Sequence, residues 1–149
     1  MKAEGEIGRS LGKGRVITYC LIALIALIGL ADATYLTVMH LTGDDALCGG
    51  GGDCSKVLGS AYASVGPLPT ASFGMLAYFV VFSAAICVLF GYNSARRVLA
   101  ASVTLMLLAS FWLLYLQAFV LHAFCPFCLL SAALTFLLAG IVLATPGTR

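Results

Sequence analysis

Residues 98–144, VLAASVTLMLLASFWLLYLQAFVLHAFCPFCLLSAALTFLLAGIVLA, are apolar almost throughout, yet one helix over them would be about twice as long as a hydrocarbon core of roughly 30 Å requires. Pro126 interrupts the run, because it removes a backbone donor that a continuous helix would need. The stretch is therefore expected to divide into two spans, residues 98–120 and about 125–144, joined by a tight hairpin near His122.

Further toward the N-terminus, residues 73–90 and 16–41 are two more apolar stretches of about the 20 residues that a crossing takes. The chain has 149 residues, 62% of them apolar and 9% charged, whereas soluble domains hold about half and about a quarter. A soluble core is excluded. The expected fold class is all-α, an integral membrane four-helix bundle in which the whole chain forms one domain.

Lys2, Arg9, Lys13 and Arg15 precede the first span, Arg96 and Arg97 lie between the second and third, and Arg149 follows the fourth. With an even number of spans these fall on one side and only Lys56 on the other, so the positive-inside rule puts both termini in the cytoplasm of a plasma (inner) membrane. Ala31-Asp32-Ala33 matches a signal-peptide cleavage pattern, but apolar character resumes at Tyr35, Leu36, Val38 and Met39. Removing the first span would also destroy the charge asymmetry.

Residues 1–14 are polar, charged and glycine-containing, and are expected to form a loose cytoplasmic tail. The only long loop, residues 42–72, is extracytoplasmic in this topology, so loop-borne function concentrates there. It contains Cys48-Gly49-Gly50-Gly51-Gly52-Asp53-Cys54. Val57, Leu58, Ala61, Tyr62 and Val65 then fall at helix-face spacing, which predicts a short amphipathic surface helix over residues 55–65 with Asp53 as N-cap. Gly66-Pro67-Leu68-Pro69 ends it.

The topology sorts the six cysteines. Cys20 and Cys87 lie near the cytoplasmic ends of their spans and read as small apolar helix residues. Cys48, Cys54, Cys125 and Cys128 lie at the outer face, where disulfides persist. Cys125-Pro126-Phe127-Cys128 opens the fourth span, and a helix N-terminus stabilises a thiolate through its exposed N–H groups and dipole. Pro126 suits the first turn, where a missing N–H is harmless. The glycine link between Cys48 and Cys54 can bring their Cα atoms within disulfide range and can also let one cysteine swing away. Two structural disulfides, or one zinc ion held by four thiolates, are the alternatives to a relay of two exchanging pairs. The oxidising compartment and the membrane depth of Cys-x-x-Cys weigh against a metal.

These residues resemble the bacterial branch of the vitamin K epoxide reductase family. The shared pattern is four spans, a cysteine pair in the first extracytoplasmic loop, a Ser or Thr six residues after the second loop cysteine, and Cys-x-x-Cys opening the last span. Cys48, Cys54, Ser60, Cys125 and Cys128 match it position by position. Asp32-Ala33-Thr34-Tyr35-Leu36-Thr37, Val57-Leu58-Gly59-Ser60 and Phe73-Gly74 also look like family sequence. Other four-span quinone-linked disulfide oxidases place Cys-x-x-Cys in the first loop, whereas here it comes last.

The resemblance implies a membrane oxidoreductase that makes disulfides in a thioredoxin-like partner and passes the electrons to a quinone such as menaquinone or ubiquinone. It implies that the partner attacks at Cys48, that the released Cys54 attacks Cys125, and that Cys128 delivers electrons to the quinone. By the same analogy Ser60 hydrogen-bonds a quinone oxygen. Leu58, Phe73, Leu113, Gln117 and Phe127 are expected at similar depth, lining an apolar pocket with one polar contact.

Many bacterial relatives carry a fused thioredoxin-like domain after the last span. This chain ends at Arg149, so a separate extracytoplasmic partner is expected, together with membrane lipid and the quinone pool, and no nucleic acid. Vertebrate members have a tyrosine four residues after the second Cys-x-x-Cys cysteine, where this chain has Ala132. Quinone reduction coupled to disulfide formation is thus implied in preference to epoxide reduction.

Asp32 is a functional candidate because an ionised carboxyl in a span is costly, although bonding to a hydroxyl of Thr34, Tyr35 or Tyr115 would give it a structural role. His122, three residues before Cys125, is a candidate for stabilising its thiolate when protonated. The competing functional class is a non-enzymatic four-span scaffold or transporter subunit whose outer cysteines brace a loop.

Overall fold

The computed structural model describes residues 2–42, 56–57 and 59–145, with side chains from Gly12 onward. Helix α1 (Lys2–Thr42) is followed by strands β1 (Ser64–Val65) and β2 (Leu68–Pro69), and then by helices α2 (Thr70–Leu89), α3 (Asn93–Tyr115) and α4 (Pro126–Ala144). A π-helical turn, Leu116–Val120, prolongs α3. Four helical stretches are long and apolar enough to cross a membrane: Gly12–Thr42, Thr70–Leu89, Asn93–Val120 and Pro126–Ala144. The expected all-α four-span bundle is the observed one.

Two expectations need correction. Residues 2–14, expected as a loose tail, continue α1, because adding turns to a formed helix is far easier than nucleating one. The surface helix expected over residues 55–65 is not seen among the described residues. Lys56 and Val57 are helical, residues 59–63 are turns and bends, and β1 pairs antiparallel with β2 in the register Ser64↔Pro69 and Val65↔Leu68. So short a segment gains too few helical hydrogen bonds to offset nucleation, and its apolar residues serve a hairpin equally well. Cys48, Asp53, Cys54 and Leu58 lie outside the described residues.

Apolar helices leave their few hydroxyls without water, and the threonines answer this locally. Thr18, Thr34, Thr37 and Thr42 each donate to the carbonyl four residues back, at 2.7 to 2.9 Å. The connection from α2 to α3 closes with Gly91 at φ 95°, its N–H donating to the Val88 carbonyl while the Tyr92 N–H donates to Cys87. This is a Schellman ending, in which glycine accepts the left-handed conformation that satisfies the last carbonyls.

The core is built largely from small and branched side chains: Ile22 and Ala26 of α1, Val81 and Ala85 of α2, Val103 of α3, and Leu138 and Ala139 of α4. Small residues let the backbones approach closely, which is what drives association where lipid removes the hydrophobic contrast. At one end of the bundle Arg96 Nη2 donates to the Thr145 carbonyl at 2.7 Å. The hairpin and the head of α4 lie at the other end.

Candidate functional site

The geometry at the head of α4 begins with the end of α3. In the π turn the Leu121 N–H reaches the Leu116 carbonyl at 2.8 Å, a widened loop of the kind that accumulates at functional positions. His122 then turns the chain with φ 49°, and Cys125 enters α4 in an extended conformation as its N-cap. Pro126 occupies the first helical position, and the Leu129 N–H closes the first turn on the Cys125 carbonyl at 3.0 Å. Cys128 therefore sits in that first turn, among N–H groups without intrahelical acceptors.

Gln117, on the π turn and only 3% exposed, ties these elements together. Its Oε1 accepts the Cys125 N–H at 3.2 Å. With the oxygen so committed, the amide nitrogen is turned away from that bond, and Gln117 also borders the adjoining cavity. The wall is mostly apolar but also carries Ser, Thr and Tyr hydroxyls.

Cys125 is fully buried, packed against Leu36 of α1 with Val57, Ala71, Phe127 and Cys128 around it. Asp32, one turn before Leu36, is 8% exposed and lies within electrostatic reach of Cys125. Its Oδ2 has no hydrogen-bond partner among the described residues. Thr34, Tyr35 and Tyr115, considered as its partners from sequence, make no hydrogen bond to that oxygen.

A cavity of about 480 Å³ opens beside Cys128. Of the residues expected around it, Ser60, Phe73, Leu113 and Gln117 border it together with Cys128. Phe127 is not on its wall: the ring stacks against Tyr35, with centroids 5.1 Å apart. The Ser60 hydroxyl donates to the Val57 carbonyl at 2.8 Å, so it must turn before it can donate into the cavity. Among the described residues no group of three His, Cys, Asp or Glu side chains is placed to hold a metal ion.

Sequence reasoning did not single out Tyr78, which is 1% exposed and crosses from α2 to α4. Its hydroxyl donates to the Ser131 carbonyl at 2.8 Å and shares hydrogen bonds with Ser131 Oγ and Thr135 Oγ1, each at 3.1 Å. All three residues border the cavity. The available signal was the Ser131/Thr135 pair, four residues apart on one face of an apolar helix, which implies a polar neighbour across the bundle.

The model of the vitamin K epoxide reductase family matches residues 20–143. The chain is also similar to the thiol-disulfide oxidoreductase LTO1 of Arabidopsis thaliana, at 39% identity over 114 residues, which is 70% of this chain and 30% of that protein. It thus spans under a third of the length of the relative it matches.

Proposed function

The chain belongs to the vitamin K epoxide reductase family, and from that premise we propose that it is a quinone-linked thiol oxidase that makes disulfides in a thioredoxin-like partner. The observation that carries this reading is Cys128 in the first turn of α4, bordering a cavity of about 480 Å³ and three residues from the buried Cys125. The cavity's size and apolar wall suit a flat aromatic ring. Gln117 and Ser60 are among the polar residues that border it, and each offers a donor, Ser60 once its hydroxyl turns from Val57.

A quinone held there supplies a two-electron, two-proton acceptor. The chain's own residues do the rest. The partner's thiolate opens the Cys48–Cys54 disulfide at Cys48, and the released Cys54 thiolate attacks Cys125, breaking the Cys125–Cys128 bond and freeing Cys128 at the cavity wall. Each exchange conserves one disulfide, so two electrons move inward at every step. Helix N–H groups around Cys128 stabilise the thiolate so formed. The partner's second thiol then releases Cys48 as the partner's own disulfide forms, Cys48 recloses on Cys54 and frees Cys125, and closure of the Cys125–Cys128 bond completes delivery of the electron pair.

The bias of seven Lys and Arg on one side against Lys56 alone on the other supports an orientation with the termini cytoplasmic and the cysteine end extracytoplasmic. In that orientation the relay faces a compartment where disulfides persist, as it would in a plasma or inner membrane.

The test uses the full chain reconstituted with a reduced thioredoxin-like protein and either menaquinone or ubiquinone. A partner lacking its second thiol is expected to accumulate a mixed disulfide at Cys48, and Cys48→Ala is expected to abolish both that adduct and oxidation of the intact partner. Cys128→Ala is expected to abolish the fall in quinone absorbance. If both variants oxidise the partner as wild type does, the cysteines only brace the fold.

A further inference from the structure

A thiol that enters a disulfide must give up its proton, and Cys125 is fully enclosed, so water cannot take that proton directly. The residue placed to do so is Asp32. Its carboxyl is more than nine-tenths buried within a membrane span, an expensive place for an ionisable group with no task. Its Oδ2 is without a hydrogen-bond partner among the described residues.

The helical period of α1 fixes its neighbours. Gly29, three residues earlier, lies against the Tyr78 ring, and Leu36, four residues later, packs on Cys125, so Asp32 faces the space between them. Among the described residues, the titratable groups within electrostatic reach are Cys125 at the head of α4 and Tyr78 of α2. On α1 itself the Tyr35 ring turns to Phe127 and His40 borders the cavity. Strand β2 and the Gln117 turn contribute no ionisable side chain.

We propose that Asp32 accepts the proton of the Cys125 thiol when the Cys125–Cys128 pair is oxidised and returns it when the pair is reduced. The inference rests on the relay reading above. In the dithiol state the Cys125 S–H lies within electrostatic reach of the carboxylate. Two bare anions side by side in apolar surroundings would both lack solvation, so the pair carries one negative charge and not two.

On oxidation the S–S bond forms, both S–H bonds break, and two electrons leave to the quinone. The Cys128 proton leaves with them, and the Cys125 proton stays on Asp32. The quinone's second proton is drawn from bulk water. On re-reduction by the partner dithiol, Asp32 restores the proton to Cys125 and one of the partner's two protons is released to water, which balances the cycle. Asp32 acts through Cys125 and is a positioning residue for the proton.

The test needs no quinone. In full-length protein carrying Cys48→Ala and Cys54→Ala, the Cys125–Cys128 pair is equilibrated with mixtures of reduced and oxidised dithiothreitol between about pH 6 and 8, below the ordinary thiol range near 8.5. The extent of reduction is read from maleimide adducts. Reduction of the pair releases one proton from Asp32 to water, so the ratio of reduced to oxidised dithiothreitol at half-reduction is expected to fall by up to tenfold per pH unit. Asp32→Glu keeps this slope, whereas Asp32→Asn flattens it to whatever ionisation of Cys128 contributes.

A merely structural aspartate would shift the ratio in Asp32→Asn and leave its pH dependence alone, and that result overturns the proposal. So does a ratio independent of pH in the chain that retains Asp32, whether or not the Asn variant folds. A protein that shows the slope but reduces no quinone would instead sink the quinone-linked function and leave the proton acceptor standing.

Discussion

The ring of Tyr78 rests directly on the Cα of Gly29, so close that a methyl group at residue 29 would overlap the ring carbons. This contact locks α1 to α2 and aims the Tyr78 hydroxyl at α4, where Ser131 and Thr135 receive it. Three helices therefore meet at one tyrosine. Gly29→Ala is expected to destabilise the bundle by about 1–3 kcal/mol, the usual cost of overpacking. Tyr78→Phe, which keeps the ring and loses the hydroxyl, should cost about 1 kcal/mol. Thermal unfolding in detergent measures both, and Gly29→Ala should cost far less in a Tyr78→Ala background, where the overlapping ring is gone.

Gln117 accepts the Cys125 N–H and borders the cavity, and substitution tests the two roles proposed for it. Gln117→Glu keeps an acceptor for the Cys125 N–H, now 3.2 Å from Oε1, but withdraws the amide donor from the cavity. Gln117→Ala loses both and leaves a buried N–H unsatisfied, costing about 1–3 kcal/mol. The expectation is that KM for the quinone rises about tenfold in either variant, as for one lost hydrogen bond. Both variants should also lower the unfolding temperature, Gln117→Ala through the orphaned N–H and Gln117→Glu through the buried carboxyl. Steady-state quinone reduction and a melting curve on the same preparations decide it.

What the sequence disclosed follows from which signals survive in an apolar chain. The four spans were legible because each is bounded by charge, glycine or proline, and the turn near His122 because no helix of 47 residues is needed to cross a bilayer. The inward faces were not legible. In a soluble helix polarity marks the outside, but here exposed Leu108 and buried Leu138 are the same residue type. Tyr78 was therefore overlooked, and Phe127 was expected on the cavity wall when its ring turns to Tyr35. The π turn at Leu116–Val120 carries no residue signature of its own, although it is what brings Gln117 under Cys125. Ser60 was singled out by the family resemblance, through its spacing from Cys54, but its bond to Val57 depends on the turn that replaces the expected surface helix.

Arg96 secures the opposite end of the bundle. Its guanidinium donates to the last carbonyl of the α4 segment, Thr145, at 2.7 Å, and a cation there also complements the negative end of the helix dipole. Arg96→Ala should lower stability by about 1–2 kcal/mol, and Arg96→Lys by less, since an ammonium retains the charge but not the planar donor geometry. Because the site lies at the other end of the spans, the initial rate of quinone reduction at low temperature should be unchanged. A matched loss of rate and of stability would show instead that the helix ends and the redox pair unfold together.

His122 holds the left-handed conformation, φ 49°, at the one residue that turns α3 toward the cysteines. Its imidazole is exposed, and its backbone is what the turn requires. Histidine tolerates this region better than most residues, and β-branched side chains tolerate it worst. His122→Val is therefore expected to destabilise by about 1–2 kcal/mol, while His122→Gly should be neutral or stabilising by up to about 1 kcal/mol. His122→Asn separates backbone from imidazole, since asparagine also accepts positive φ but cannot become a cation. If the histidine matters only for the turn, the Asn variant retains both its melting temperature and the pH profile of quinone reduction. A profile that loses its acidic limb in the Asn variant, with melting unchanged, would assign the imidazole a charge-dependent role toward Cys125.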